Sequence, residues 1–213
     1  MIVAIDGPAA AGKGTLARRL AEHFGLAFLD TGRLYRAVGA KVLRTGKSPA
    51  DHVAAAAAAR SLVPADMEAP NLREEAVGDA ASVVAAQPDV RAALVEFQRR
   101  FAHHPPAGKK GAVLDGRDIG TVICPEPDVI KLFVHASPEA RAERRFKELQ
   151  ARGDAATYPR VLQDMKDRDE RDRSRGVAAL KKADDAYDLD TTGLNPDQAF
   201  QKALEFIQSR IRP

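Results

Sequence analysis

With 213 residues, 45% of them hydrophobic and none tryptophan, the chain can bury one sizeable α/β core resting on Ala, Val, Leu and Ile. Its 33 basic residues face 30 acidic ones, a bias of +3 that is too weak to argue for nucleic-acid binding. The single cysteine, Cys124, excludes an intrachain disulfide and fits a reducing compartment; with no leader or long apolar run in view, a cytoplasmic protein with no membrane partner is expected.

The first strand is predicted over Ile2-Val3-Ala4-Ile5, an apolar run of the kind buried on both faces of a parallel sheet. It breaks at Gly7, and Gly7 to Lys13 fits G-x-x-x-x-G-K; Leu16, Leu20 and Phe24 then recur at helical spacing. Strand, glycine loop and helix are the setting of a phosphate-binding P-loop. Its glycines let backbone N–H groups converge on an anion, and the helix N-terminus adds its dipole. Lys13 brings a mobile point charge to the outer phosphates. The loop Gly7, Pro8, Ala9, Ala10, Ala11, Gly12, Lys13, Gly14 and Thr15 therefore reads as a site for a nucleoside polyphosphate. The hydroxyl expected after the lysine is delayed by Gly14 to Thr15, the candidate neighbour of phosphate and Mg²⁺.

Residues 26–29 predict a second strand ending at Asp30-Thr31-Gly32, followed by a helix over about 33–44 and turn residues at 45–49. Six consecutive alanines within 53–60 predict a plain packing helix. Residues 63–71, with two prolines and little periodicity, read as a connection. Two helices are expected between 72 and 100, the second opening at Pro88, where a missing N–H costs nothing. Residues 102–111 read as a loop that includes His103-His104-Pro105-Pro106, and no zinc pattern stands out among the five histidines. Strands follow at 112–114 and 129–134, then a helix over about 138–151, a polar break, and a highly charged helix over about 159–175. Residues 188–190 form a last strand, and Asn195-Pro196, cap then first helical position, opens a helix to about Arg210. Strands alternating with helices indicate one domain over 1–213, a five-stranded parallel sheet with helices on both faces.

A P-loop alone does not say what receives the phosphate. Neither Asn71 nor Asn195 sits in an N-K-x-D guanine reader, which weighs against a GTPase switch. Three segments are candidates for a second anion site, read as standing where strands end, which is where open α/β sheets bind ligands. In the run 30–36, Thr31 can cap the helix and donate to a phosphate, while Arg36 offers a fork to its oxygens. In the run 115–121, a carboxylate at the place of Asp115 suits hydrated Mg²⁺, and Arg117 lies between two acids. On a helix, Arg168, Arg171, Asp172 and Arg175 share one face. Alone, that run reads as a solvated face with i,i+4 ion pairs. A strip of arginines also suits phosphoryl transfer, where charge spreads over the moving group, and Asp172 suits ribose hydroxyls.

Together these segments resemble the bacterial cytidylate kinases, from GPAAAGKGT through DTGRLYRA and DGRDIGT to RDERDRSR, in order and over nearly the whole length. The GKGT form is similar to that of the nucleoside-monophosphate kinases at large. The resemblance implies a P-loop kinase fold with small monophosphate-binding and lid excursions, the lid at about 152–175. It implies the reaction of ATP with CMP or dCMP to give ADP and CDP or dCDP, with Mg²⁺. Gly7 to Thr15 would bind ATP, Thr31 and Arg36 would meet the acceptor phosphate, and Arg117 would join the phosphate cluster. Asp118 would read the cytosine amino group, while Arg168, Asp172 and Arg175 would engage phosphate and ribose. The stretch 80–91 resembles the family's base-recognition helices, which carries Ser82 and Arg91 over as cytosine contacts. That is chemically sound, since cytosine offers an N4 donor to an acid or hydroxyl and acceptors at O2 and N3 to an arginine. There are two departures. The monophosphate-binding insert, about 63–100, is short, with only about 63–72 where family members usually carry further short strands. Ala9-Ala10 replace small polar or glycine residues, with little consequence expected because the backbone does the binding.

The expected mechanism is positioning and charge neutralisation, since an acceptor phosphate is already ionised and needs no strong base. Lys13, Arg36, Arg117, Arg168 and Arg171 are the expected catalytic groups, and Thr15 and Asp115 the metal neighbours, directly or through water. A monomer acting on ATP and CMP or dCMP is expected. The alternatives are a kinase for UMP or AMP and a non-catalytic nucleotide-binding regulator; the acceptor-side arginines weigh against the regulator.

Overall fold

The N-terminal apolar run becomes the central strand of the sheet. β1 (Ile2–Asp6) lies between β3 (Ala112–Gly116) and β4 (Ile130–His135), with β2 (Ala27–Asp30) and β5 (Tyr187–Asp190) at the edges. The order is β2-β3-β1-β4-β5 and every pairing is parallel. The computed structural model describes residues 1–174, 176 and 179–211.

Alternation along β1 divides the core in two. Val3 and Ile5 join the cluster under α1 (Lys13–Phe24) and α8 (Pro196–Ile211). Ala4 joins the cluster under α2 (Thr31–Arg44), α3 (His52–Arg60), α4 (Glu75–Val84) and α5 (Pro88–His103). All three are fully buried, which is why the strand is apolar at successive positions. α6 (Pro138–Ala151) and α7 (Tyr158–Arg173) share a separate small cluster of Ala142, Leu149, Val161 and Met165, against which Ala9 and Ala10 pack. Those two alanines are thus more than neutral spacers. Ala10 also holds φ at +57°, a left-handed conformation that costs a non-glycine residue about 1–2 kcal/mol.

Several boundaries differ from expectation for local reasons. α2 starts at Thr31 because Asp30, not Thr31, is its cap: Asp30 Oδ1 accepts from Arg33 N at 3.1 Å. Residues 63–71 do not form a plain connection; two 3₁₀ turns, Pro64–Glu68 and Pro70–Arg73, each open on a proline. His103 belongs to the last turn of α5 rather than to a loop. α7 ends at Arg173, and Arg175 lies outside the described residues. The alanine run does form a packing helix, burying Ala55, Ala56, Ala58 and Ala59. Asn195 caps α8 as expected, its Oδ1 accepting from Asp197 N and Gln198 N.

After β3 comes a turn of π-helix, Ile119–Ile123, which no periodicity announces. Its Ile119 and Gly120 N–H groups donate to the two oxygens of buried Asp6, at 2.8 and 2.7 Å. The end of β1 is thereby tied to the segment that carries Asp118. Among the described residues no helix is long and apolar enough to cross a membrane.

Candidate active site

The phosphate loop leaves β1 at Gly7, where φ is +149° and a Cβ would lie 1.9 Å from the Val134 carbonyl oxygen of β4. Only glycine allows that approach. α1 then begins at Lys13 with Gly12 as its cap, no capping side chain and no acidic residue in the first turn. Its leading N–H groups are left for an anion. At Gly14 a Cβ would meet Asp115 Oδ2 at 3.3 Å, so the carboxylate leaves little room for a side chain directly after the lysine. The hydroxyl comes one place later, at the exposed Thr15.

Lys13 Nζ donates to the Pro8 carbonyl at 2.9 Å and lies 3.8 Å from Asp115 Oδ1. Both side chains are buried. Burial, helped by the charge of Arg117, lowers Lys13 to about 8, against the pull of Asp115 and Asp172. Burial raises Asp115, opposed chiefly by Lys13.

In front of this pair opens a cleft of about 390 Å³, whose walls include Lys13, Thr15, Arg36, Asp115, Arg117, Arg145 and Arg168. Arg36 is held by Nη1, which donates to the Leu72 carbonyl at 2.7 Å, and its guanidinium lies where any Cβ on Gly78 would be 3.2 Å away. Burial, then the charge of Arg145, lowers its pKa. Arg117 Nε donates to Asp172 Oδ2 at 2.8 Å. Burial pulls Arg117 down, but Asp172, Asp115 and Asp6 outweigh it and hold the group above its ordinary value. Four arginines and a lysine thus converge on one cleft, an arrangement suited to two facing phosphate groups.

Other predicted residues sit elsewhere. Thr31 is buried and its hydroxyl donates to the Asp115 carbonyl at 2.8 Å, so it braces the start of α2 against β3 and is not part of the cleft wall. Asp172, 1% exposed, holds Arg117 and does not face an open ribose pocket. Arg171 points across to Asp79 of α4 at 3.6 Å and is absent from the cleft wall. Ser82, Arg91 and Asp118 do not line the cleft. Arg91 donates to Asp118 and to the Tyr35 hydroxyl, at 3.1 Å for the latter, which places a guanidinium, a carboxylate and a phenol side by side.

Sequence reading passed over three groups. Arg145 lines the cleft from α6, and the only signal was its place in the helical run Arg141, Arg144, Arg145. Arg141, 2% exposed, donates to both oxygens of Asp169 on α7 at 3.0 and 2.6 Å, and to the Ala9 carbonyl of the loop at 3.3 Å. The third is Asp6. On the other flank of the loop lies a second cavity of about 400 Å³, bounded by Ala10, Thr15, Leu16, Arg144, Leu194 and Pro196.

A family model described as cytidylate kinase matches residues 3–209. The cytidylate kinase of Paramagnetospirillum magneticum is 62% identical over 209 residues, covering 98% of both chains. That coverage leaves no room in this relative for a long insert missing here. The cytidylate kinase of Methylocella silvestris is 58% identical over 98% of this chain and 94% of its own, and that of Rhodospirillum rubrum 56% over 97% of both. Two solved structures share the fold at low identity. An uncharacterized protein from Eubacterium ventriosum gives a TM-score of 0.57 at 18% identity over 98% of both chains. A sugar kinase from a Janibacter species gives 0.51 at 16% over 98% of this chain and 94% of its own. The chain belongs to the cytidylate kinase family.

Proposed function

We propose that the protein transfers the γ-phosphoryl group of ATP to CMP or dCMP, with Mg²⁺, releasing ADP and CDP or dCDP. The observation that carries this reading is the convergence of Arg36, Arg117, Arg145 and Arg168 on the cleft in front of the phosphate loop. A hydrolase or a nucleotide-binding regulator has no need of that many cations beyond Lys13.

In this reading Gly7 to Thr15 cradle the ATP phosphates, and the cavity beside Ala10 and Leu194 takes its base. Arg36, Arg117 and Arg168 bind the acceptor phosphate, whose ionised oxygen attacks the γ-phosphorus directly; the bond to the β,γ-bridging oxygen breaks and ADP leaves. Asp172 acts through Arg117 by fixing its orientation. Ser82, Arg91 and Asp118 read the cytosine, Asp118 accepting from N4 and Arg91 donating to O2 or N3. Thr15 and Asp115 present the hard oxygen donors that suit Mg²⁺, and Asp30 adds another at the cleft wall. The ion, when bound, neutralises charge on the phosphate oxygens. α6 and α7 move together as the cover that excludes water, because Arg141 and Asp169 join them; the cover is therefore larger than 152–175. The proposed working unit is a cytoplasmic monomer.

The test is a competition among CMP, dCMP, UMP and AMP at fixed ATP and Mg²⁺. A cytidine monophosphate is expected to give the highest kcat/KM by at least about tenfold, the scale of one or two buried hydrogen bonds. Equal or faster transfer to UMP or AMP would overturn the assignment.

A further inference from the structure

At the end of α5, His103, together with Cys124 and Glu126, brings an imidazole nitrogen, a thiol sulfur and a carboxylate oxygen within 4.8 Å of one another. We propose that these three side chains form a binding site for a borderline-soft divalent cation of the Zn²⁺ type, with water as the fourth ligand. Nitrogen, sulfur and oxygen donors at such separations need only small side-chain shifts to reach the roughly 2.0–2.3 Å bonds of tetrahedral zinc.

Several features of the surroundings support this site. His103 ends α5, where the helix dipole is negative and favours a cation. Cys124 and Glu126 stand on a connection that is held in shape. Arg99 donates to the Val122 and Ile123 carbonyls at 2.8 and 3.2 Å, Lys131 to the Pro125 carbonyl at 2.9 Å, and Cys124 N to Ile119 O at 2.7 Å. Glu126 Oε2 is shielded from solvent, and among the described residues nothing donates a hydrogen bond to it. His103 Nε2 is 3.8 Å from Glu126 Oε1, a separation two ligands of one ion can adopt. Cys124 is fully buried, so the thiol has the imidazole and carboxylate beside it rather than open water. Binding exchanges the thiol proton for the metal: one S–H bond breaks, one S–metal bond forms, and the proton goes to solvent. Thiolate and carboxylate then balance the charge of the cation.

The ion would close a clamp that the protein already begins. Arg91 near the start of α5 reaches Asp118, Arg99 in its middle reaches 122 and 123, and the metal would join its end to 124 and 126. Sequence spacing hides the site, because its ligands sit twenty-one and two residues apart and match no finger pattern.

The full chain, stripped with a chelator, is titrated with Co²⁺ in the absence of nucleotide. One equivalent is expected to produce a thiolate-to-cobalt band in the near ultraviolet, which Zn²⁺ then bleaches. Because Cys124 is the only cysteine, such a band has a single possible source. Cys124→Ser should abolish it. His103→Ala and Glu126→Gln, at less buried positions, should each weaken Co²⁺ binding by about tenfold or more and keep the CMP kinase rate unchanged. A Zn²⁺-dependent rise in Tm should appear in the wild type and vanish in His103→Ala. No thiolate band in the wild type overturns the proposal, as does unchanged Co²⁺ affinity in both His103→Ala and Glu126→Gln.

Discussion

On the sheet side of the cleft, the phosphate loop is fixed by backbone. Gly7 fits against the Val134 carbonyl, Lys13 Nζ is held by Pro8, and Asp6 ties the end of β1 to the turn after β3. On the facing side, α6 and α7 share four buried residues and the buried Arg141–Asp169 pair; α7 is tied to the segment after β3 by Asp172 and Arg117, and reaches α4 through the exposed pair Arg171–Asp79. An exposed pair of that kind is worth about 0–1 kcal/mol. The difference separates two tasks. In the proposed mechanism the donor phosphates must be held to fractions of an ångström, whereas the cover must open for substrates and close against water. A small cluster joined internally by Arg141–Asp169 can move as one piece, with Arg117–Asp172 as its buried tie to the sheet side, and the central strand cannot.

The largest effect should come from breaking the rigid side. Lys13→Met should reduce kcat by about 10³-fold, the scale of losing a charge placed for the transition state, with only a small change in Tm. Steady-state kinetics with CMP and thermal unfolding check both halves of that statement.

Breaking the cover from within should act first on stability. Asp169→Ala strands the Arg141 guanidinium, which is buried beside the Ala9 carbonyl, and should cost about 3–5 kcal/mol in denaturant unfolding. Replacing both partners by apolar residues should restore much of the stability. It should not restore full kcat, because Arg141 also touches the loop.

A smaller effect concerns pH. Burial, opposed by the Gly120 and Ile119 amides, raises Asp6 from 3.8 to about 7. Between those values the folded chain keeps a proton that the unfolded chain has lost. The associated stabilisation is complete below 3.8 and is lost as pH rises through about 7. The unfolding free energy of the wild type should therefore carry a component that falls from pH 4 to 7, and Asp6→Asn should lack it. Identical pH slopes in the two proteins would refute the role given to this carboxyl. The smallest effect belongs to Arg171→Ala: less than about 1 kcal/mol in stability, and a kcat within a fewfold of wild type.

The same contrast governs what could be read from the chain. The strands, the glycine loop and the alanine helix were legible because each is a local pattern of a few residues: period, propensity or punctuation. Arg36, Arg117 and Arg168 were legible as cleft residues because they stand in motif segments whose order survives in the fold. Placement departs from expectation where one side chain answers another far away. Thr31 looked like a cap and a phosphate donor, but Asp30 takes the first role and the Asp115 carbonyl takes the hydroxyl. The arginine face of α7 divides in three dimensions: Arg168 faces the cleft, Asp172 serves Arg117 fifty-five residues away, and Arg171 meets α4. Asp6, the Arg141–Asp169 pair and the π turn leave no periodic trace, since their partners lie on other elements.

In the proposed mechanism Arg168 acts on the reaction rather than on the fold. Single-turnover transfer from ATP to CMP, measured beside the melting temperature of the same Arg168→Ala sample, tests this directly. The expected result is a loss of at least about 10²-fold in the transfer rate with Tm shifted by no more than a few degrees. Wild-type transfer with an undisturbed Tm would contradict it.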